Sequence, residues 1–237
     1  MTRLSVNLNK VALIRNARGG NLPNLLQVAL DCEKFGAEGI TVHPRPDQRH
    51  VRYDDIGTLK QHIQTELNIE GNPTTDFIAL VLEHRPAQCT LVPDAPEALT
   101  SDAGWNTIKN KDFLLSVCNL LKAAGVRVSI FVDPVAEMIH GAKGCGADCV
   151  EFYTGPFSKN FSTTPEEAVK SHVQAALLAH SLGLKINAGH DLNLENLSFY
   201  AQKVPHLVEV SIGHALITDA LYMGLDETIR RYKAALQ

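Results

Sequence analysis

Read for polarity alone, the chain alternates short apolar, β-branched runs with longer amphipathic stretches, and it does so eight times. The short runs, residues 4–9, 39–43, 67–71, 89–93, 126–133, 149–154, 184–188 and 207–213, are bounded by turn formers, as buried parallel strands are. Between them, residues 22–35, 54–66, 74–85, 109–124, 134–144, 164–182, 192–203 and 214–236 carry apolar positions at helical spacing. Helix starts are signalled by Thr163 and Thr164 before Pro165-Glu166-Glu167 and by Asp133 before Pro134. Gly36, Gly125, Gly146 and Gly183 each stand where a helix should end and the next strand begin. This repeating junction predicts an α/β fold, a (β/α)8 TIM barrel formed by one domain over residues 1–237. The rival, a doubly wound open sheet, loses its commonest ligand signal because no Gly-x-Gly-x-x-Gly follows the first run.

Composition narrows the function. Of 237 residues, 45% are hydrophobic and 20% charged, as in an ordinary globular protein, and the net charge of -4 supplies no basic stripe for nucleic acid. No stretch is long and apolar enough to suggest a membrane span, and the first residues run straight into a strand without a secretory layout. The five cysteines, Cys32, Cys89, Cys118, Cys145 and Cys149, fall inside predicted elements or turns, which fits reduced core thiols in a cytoplasmic protein better than a disulfide framework or a zinc site.

In a barrel of this class the site lies at the C-terminal ends of the strands, so position alone tests which distant residues converge. The first strand ends with Asn7, Asn9 and Lys10, with Arg15 and Arg18 in its loop. The second opens into His43, Arg45, Arg49 and His50, where Pro44 and Pro46 prevent the strand from continuing. The third supplies Glu70, the fourth Thr100 within a long gap over residues 94–110 that suggests a lid, the sixth Glu151, the seventh Asn187, His190 and Asp191, and the eighth Gly213 and His214. Arg matches the geometry of phosphate, and His moves protons near neutral pH.

A buried Glu70 reads either as a general base with a raised pKa or as a structural bridge to Arg or Lys. His43 and His190 could serve as proton acceptor and donor, though either alone would more often be a satisfied structural histidine. Ala188-Gly189 should let a ligand or backbone come close, and the turn through Gly213 into a helix offers backbone N–H groups to a phosphate. With the arginines opposite, two phosphates fit. The residues point to acid-base chemistry on small phosphorylated compounds, with no compact metal-ligand set.

Several blocks in order resemble the pyridoxine 5'-phosphate synthase family: Arg15-Asn-Ala-Arg-Gly19, Gly39-Ile-Thr-Val-His-Pro-Arg-Pro-Asp-Gln-Arg-His50, Asn68-Ile-Glu70, Leu91-Val-Pro93, Glu151-Phe-Tyr-Thr-Gly155, Leu182-Gly-Leu-Lys-Ile-Asn-Ala-Gly-His190 and Ile212-Gly-His-Ala215. The resemblance implies a condensation of 3-amino-2-oxopropyl phosphate with 1-deoxy-D-xylulose 5-phosphate, without metal or organic cofactor. It implies His43 and Glu70 as bases and His190 as proton donor. Asn7 and Gly213-His214 would hold the aminoketone phosphate, and Arg18, Arg45, His50 and Thr100 the sugar phosphate. It also implies extra helices, an octamer built from dimers, and closure of the loop after the fourth strand.

Two departures stand out. Many members of the family have Asn-x-Asp-His where this chain has Asn7-Leu-Asn9-Lys10, and many have Gly where Asp191 stands. Asn9, Lys10, Glu151 and Asp191 are expected to join the substrate contacts, and Asp191 to offset the charge of Lys10 where the first and seventh strands bring the two near each other. The alternatives are an aldolase or isomerase, with Lys10 or Lys185 as a Schiff-base lysine, and a phosphate-sensing barrel without turnover.

Overall fold

In the computed structural model, which describes residues 1–94 and 101–237, each of the eight apolar runs forms a strand. These are β1 (Arg3–Asn7), β2 (Gly39–Val42), β3 (Glu66–Gly71), β4 (Gln88–Leu91), β5 (Arg127–Val132), β6 (Cys149–Phe152), β7 (Lys185–Ala188) and β8 (Leu207–Ile212). Each pairs in parallel with its sequence neighbour, and β8 closes onto β1 through Arg3↔Glu209 to Val6↔Ile212. The result is the predicted TIM barrel.

Both faces of the strands are buried, but they differ in chemistry. Leu4, Val6, Ile40, Val42, Ile69, Val128, Ile130 and Ile212 are fully buried in one apolar cluster with the helices. The alternate positions hold Ser5, Thr41, Asn68, Thr90, Ser129, Glu151 and Asn187, also buried, and so turn inward. Ser5 and Thr41 hydroxyls meet at 2.7 Å, Thr90 Oγ1 donates to Asn68 Oδ1 at 3.1 Å, and Asn187 Nδ2 donates to Gln88 Oε1 across the barrel at 3.5 Å. At the N-terminal end of the barrel, Arg3 meets Glu66 at 3.0 Å and Glu209 at 2.9 Å, and Arg127 meets Glu66 at 2.5 Å. Ion pairs thus close the end opposite the candidate site.

The helices are α1 (Asn9–Asn16), α2 (Leu25–Lys34), α3 (Tyr53–His62), α4 (Thr75–His84), α5 (Lys111–Ala123), α6 (Ala136–Gly144), α7 (Gly155–Asn160), α8 (Pro165–Ser181), α9 (Leu197–Lys203), α10 (His214–Met223) and α11 (Leu225–Ala235). The glycine stops hold; Gly183, at φ +72, ends α8 in a conformation that side chains resist.

Several boundaries differ from the sequence reading. The first strand stops at Asn7 rather than residue 9, because Asn7 Oδ1 takes the Asn9 N–H at 3.0 Å and turns the chain into α1. The final stretch breaks into α10 and α11 at Gly224, at φ +78. Residues 192–196 form turns before α9, where Asn193 and Asn196 bond to each other. Thr164 makes no side-chain cap for α8, and α6 begins beyond Pro134, after Val135. All five cysteines are free and buried.

Candidate active site

Asn7, at the mouth of β1, sits between two neighbours. Its Oδ1 starts α1, and its Nδ2 donates to Glu70 Oε2 at 3.3 Å. Asn9 reaches the other way, its Oδ1 accepting the backbone N–H of His43 at 2.9 Å. Two amides therefore tie the first strand's end to Glu70 on β3 and to His43 after β2. The loop that follows His43 is stapled from below by α1. Arg15, 2% exposed, grips Asp55 through both guanidinium ends, at 2.6 and 2.9 Å, and donates to the His50 carbonyl at 3.1 Å. Asn16 Nδ2 donates to the carbonyls of Arg49 and His50.

Three histidines share this rim under different conditions. His43 is buried beside Arg45, His50 and His190; burial first, and the Arg45 charge next, hold its pKa well below 6.5, so it stands neutral and able to accept a proton. His50 lies edge-on to it with ring centroids 6.3 Å apart. Burial and the charges of Arg45, Arg49 and Lys10 lower the pKa of His50 to about 4. Its Nδ1 accepts the Val51 N–H at 2.9 Å, which places the proton of the neutral ring on Nε2. His190 moves the other way. Burial opposes its charge, but Asp191 Oδ2 at 2.8 Å from Nδ1, with Glu151 and Asp94 nearby, raises its pKa above 6.5.

The carboxyls complete the set. Burial drives Glu70 well above its ordinary pKa, with Glu151 and Asp94 adding repulsion and Arg45 opposing it. Glu151 is pushed up to about 7 by burial and by Glu209. Arg45, itself buried, meets Asp94 Oδ2 at 2.6 Å, and Ser101 donates to the same oxygen at 2.6 Å. Gly213 caps α10 and packs against Asn7; a Cβ there would lie 3.0 Å from Asn7 Cβ. The exposed His214 opens α10, whose first-turn N–H groups face outward from the helix end as anion donors.

Other expectations meet the structure differently. Arg18 is exposed in the turn after α1, and Arg49 pairs with Asp47. Lys10, the first-turn neighbour of Asn9 in α1, makes no ion pair with Asp191, whose carboxylate is taken by His190. Lys185 opens β7 at the opposite end of the barrel, where no strand-end site can use it. The space beside Gly189 is filled by the backbone of β8: a Cβ would lie 1.9 Å from the Ser211 carbonyl, so the glycine admits a strand rather than a ligand. Thr100 lies outside the described residues. Among those residues no group of three or more His, Cys, Asp and Glu could hold a metal. Arg15 was legible only as part of a motif, and nothing in the local sequence marked Asp94 as the partner of Arg45.

The profile of the family described as "Pyridoxal phosphate biosynthesis protein PdxJ" matches residues 4–237. The chain is 60% identical over 237 residues to the pyridoxine 5'-phosphate synthase of Cytophaga hutchinsonii and 56% identical over 237 residues to that of Christiangramia forsetii, in both cases covering 100% of each chain. Solved structures share only the fold. The 3-keto-L-gulonate-6-phosphate decarboxylase of Vibrio cholerae superposes with TM-score 0.66 at 9% identity, over 99% of this chain and 97% of that one. The phosphoribosylanthranilate isomerase of Thermotoga maritima gives TM-score 0.60 at 12% identity, over 100% and 98%.

Proposed function

The chain belongs to the PdxJ family of pyridoxal phosphate biosynthesis proteins and carries out the pyridoxine 5'-phosphate synthase reaction, and from that premise we propose how its strand ends perform it. The reaction joins 3-amino-2-oxopropyl phosphate to 1-deoxy-D-xylulose 5-phosphate and releases phosphate and water. Forming an imine, losing water and closing a ring each require protons to move in turn. The observation that carries the assignment is the divergence of two histidines on one rim: His43 is kept neutral and His190 inclined to its charged form. His43 accepts protons and His190 donates them. Glu70, biased towards its neutral carboxyl and hydrogen-bonded by Asn7, exchanges a proton between steps.

The phosphates take opposite sides of the mouth. Asn7, Gly213 and His214 hold the aminoketone phosphate at the start of α10. Arg45, His50 through Nε2–H, and Arg18 hold the sugar phosphate, with Asn9, Lys10 and Glu151 completing the wall. Residues 1–237 act as one barrel domain. No helix among the described residues is long and apolar enough to cross a membrane, and a cytoplasmic location accords with that and with the five reduced thiols. A homo-oligomer, an octamer built from dimers, accords with the exposure of Leu221 and Tyr222.

The test follows pyridoxine 5'-phosphate and inorganic phosphate together in full-length protein given both substrates. His43→Ala, Glu70→Gln and His190→Gln should each lose about 10² to 10⁴ in kcat. Wild-type turnover in any one of them removes that residue from the chemistry.

A further inference from the structure

We infer that Asp191 is a positioning residue for His190, a carboxylate that fixes which ring nitrogen handles the proton. The inference rests on the reading of His190 as proton donor. Asp191 Oδ2 lies 2.8 Å from His190 Nδ1. A carboxylate only accepts, so Nδ1 carries a proton and Nε2 is the nitrogen that exchanges one with substrate.

Neighbours in sequence form such a pair only when the turn between them is held, and here it is held from several sides. The Asp191 N–H donates to Thr154 Oγ1 at 3.2 Å. Its carbonyl accepts from Ser158 Oγ at 3.0 Å and from Asn196 Nδ2 at 3.4 Å. Thr154 and Ser158 belong to the cap and body of α7, and Asn196 caps α9, so two helices anchor one turn. The Leu192 N–H closes that turn onto the Gly189 carbonyl at 2.6 Å. On the ring itself, Tyr153 packs edge-on with centroids 6.2 Å apart.

Among the described residues, the titratable groups around the imidazole are Glu151 from β6, Asp94 beyond β4, His43 just after β2, Tyr153 and Asp191. Arg45 already neutralises Asp94, and among the described residues Asp191 is the carboxylate bonded to the ring. His190 is 29% and Asp191 36% exposed, so substrate can reach the pair and solvent moderates its charge effect.

The experiment compares full-length wild type with Asp191→Ala, Asp191→Asn and His190→Gln, reading the kcat–pH profile and ring ¹⁵N resonances, His190→Gln serving to assign the signal. In Asp191→Ala the His190 ring should lose its bias towards a proton on Nδ1. The alkaline limb of kcat should move about one pH unit towards acid and kcat fall about tenfold, with KM for both substrates nearly unchanged. Asp191→Asn, whose amide oxygen still accepts, should keep the tautomer and recover part of kcat while retaining the shifted limb. An unchanged tautomer and limb in Asp191→Ala, with His190→Gln inactive, overturns the positioning role and leaves the donor reading intact. A raised KM at constant kcat also overturns it, by making Asp191 a substrate contact. Full activity in His190→Gln removes the donor reading, and this inference with it.

Discussion

His43, His50 and His190 are the same residue type within one mouth, and what separates them is the company each keeps. Arg45 and Arg49 press on the first two, while Asp191 and Glu151 face the third. A base must be unprotonated to act. Because the pKa of His43 is lowered, the acid limb of kcat/KM should lie well below 6.5, with activity lost only as pH falls further. A profile of kcat/KM against pH checks this, and a limb at or above 6.5 would contradict it. The positions of these residues were legible in the sequence because strand ends are legible. Their protonation states were not, since these depend on Asp94 meeting Arg45 across 49 residues of chain.

At the scale of elements, α1 and the β2–α3 loop behave as one unit because Arg15 and Asn16 hold that loop by its carbonyls. Replacing Arg15 with Met leaves Asp55 unpaired and should cost about 3 to 5 kcal/mol in urea unfolding. The same change should raise KM for the sugar phosphate more than for the aminoketone phosphate, since the loop carries His50. Gly189→Ala drives a Cβ into the β8 backbone; it should destabilise the protein by about 1 to 3 kcal/mol and lower kcat by shifting His190. The sequence concealed α1 because alternation continues through buried Leu8, and only the Asn7 side chain's capture of the Asn9 N–H ends the strand. It concealed the break at Gly224 because apolar spacing persists on both sides of it.

For the molecule as a whole, the helix–strand rhythm made the barrel legible, whereas its polar interior was not, because alternating and continuous burial look alike in short runs. Packing also sets an acid limit. His172, buried against Tyr200 with Nδ1 2.9 Å from its hydroxyl, has its pKa lowered by burial from 6.5 to about 4. The unfolded chain binds a proton through that interval that the folded ring refuses, so stability is full above 6.5 and declines as pH falls towards 4. The contribution of His172 is on the order of 3 kcal/mol, and the acid loss measured by denaturant titration across that range should shrink by about that amount in a His172→Phe, Tyr200→Phe pair, His43 and His50 supplying the remainder. Burial likewise pushes the thiols of Cys32, Cys118 and Cys149 up to about 12 and raises those of Cys89 and Cys145. Alkylating reagents therefore meet silent sulfurs distributed over α2, β4, α5, the end of α6 and β6. Each becomes a clock for its own element, and the order in which the five are labelled records the order in which the barrel comes apart.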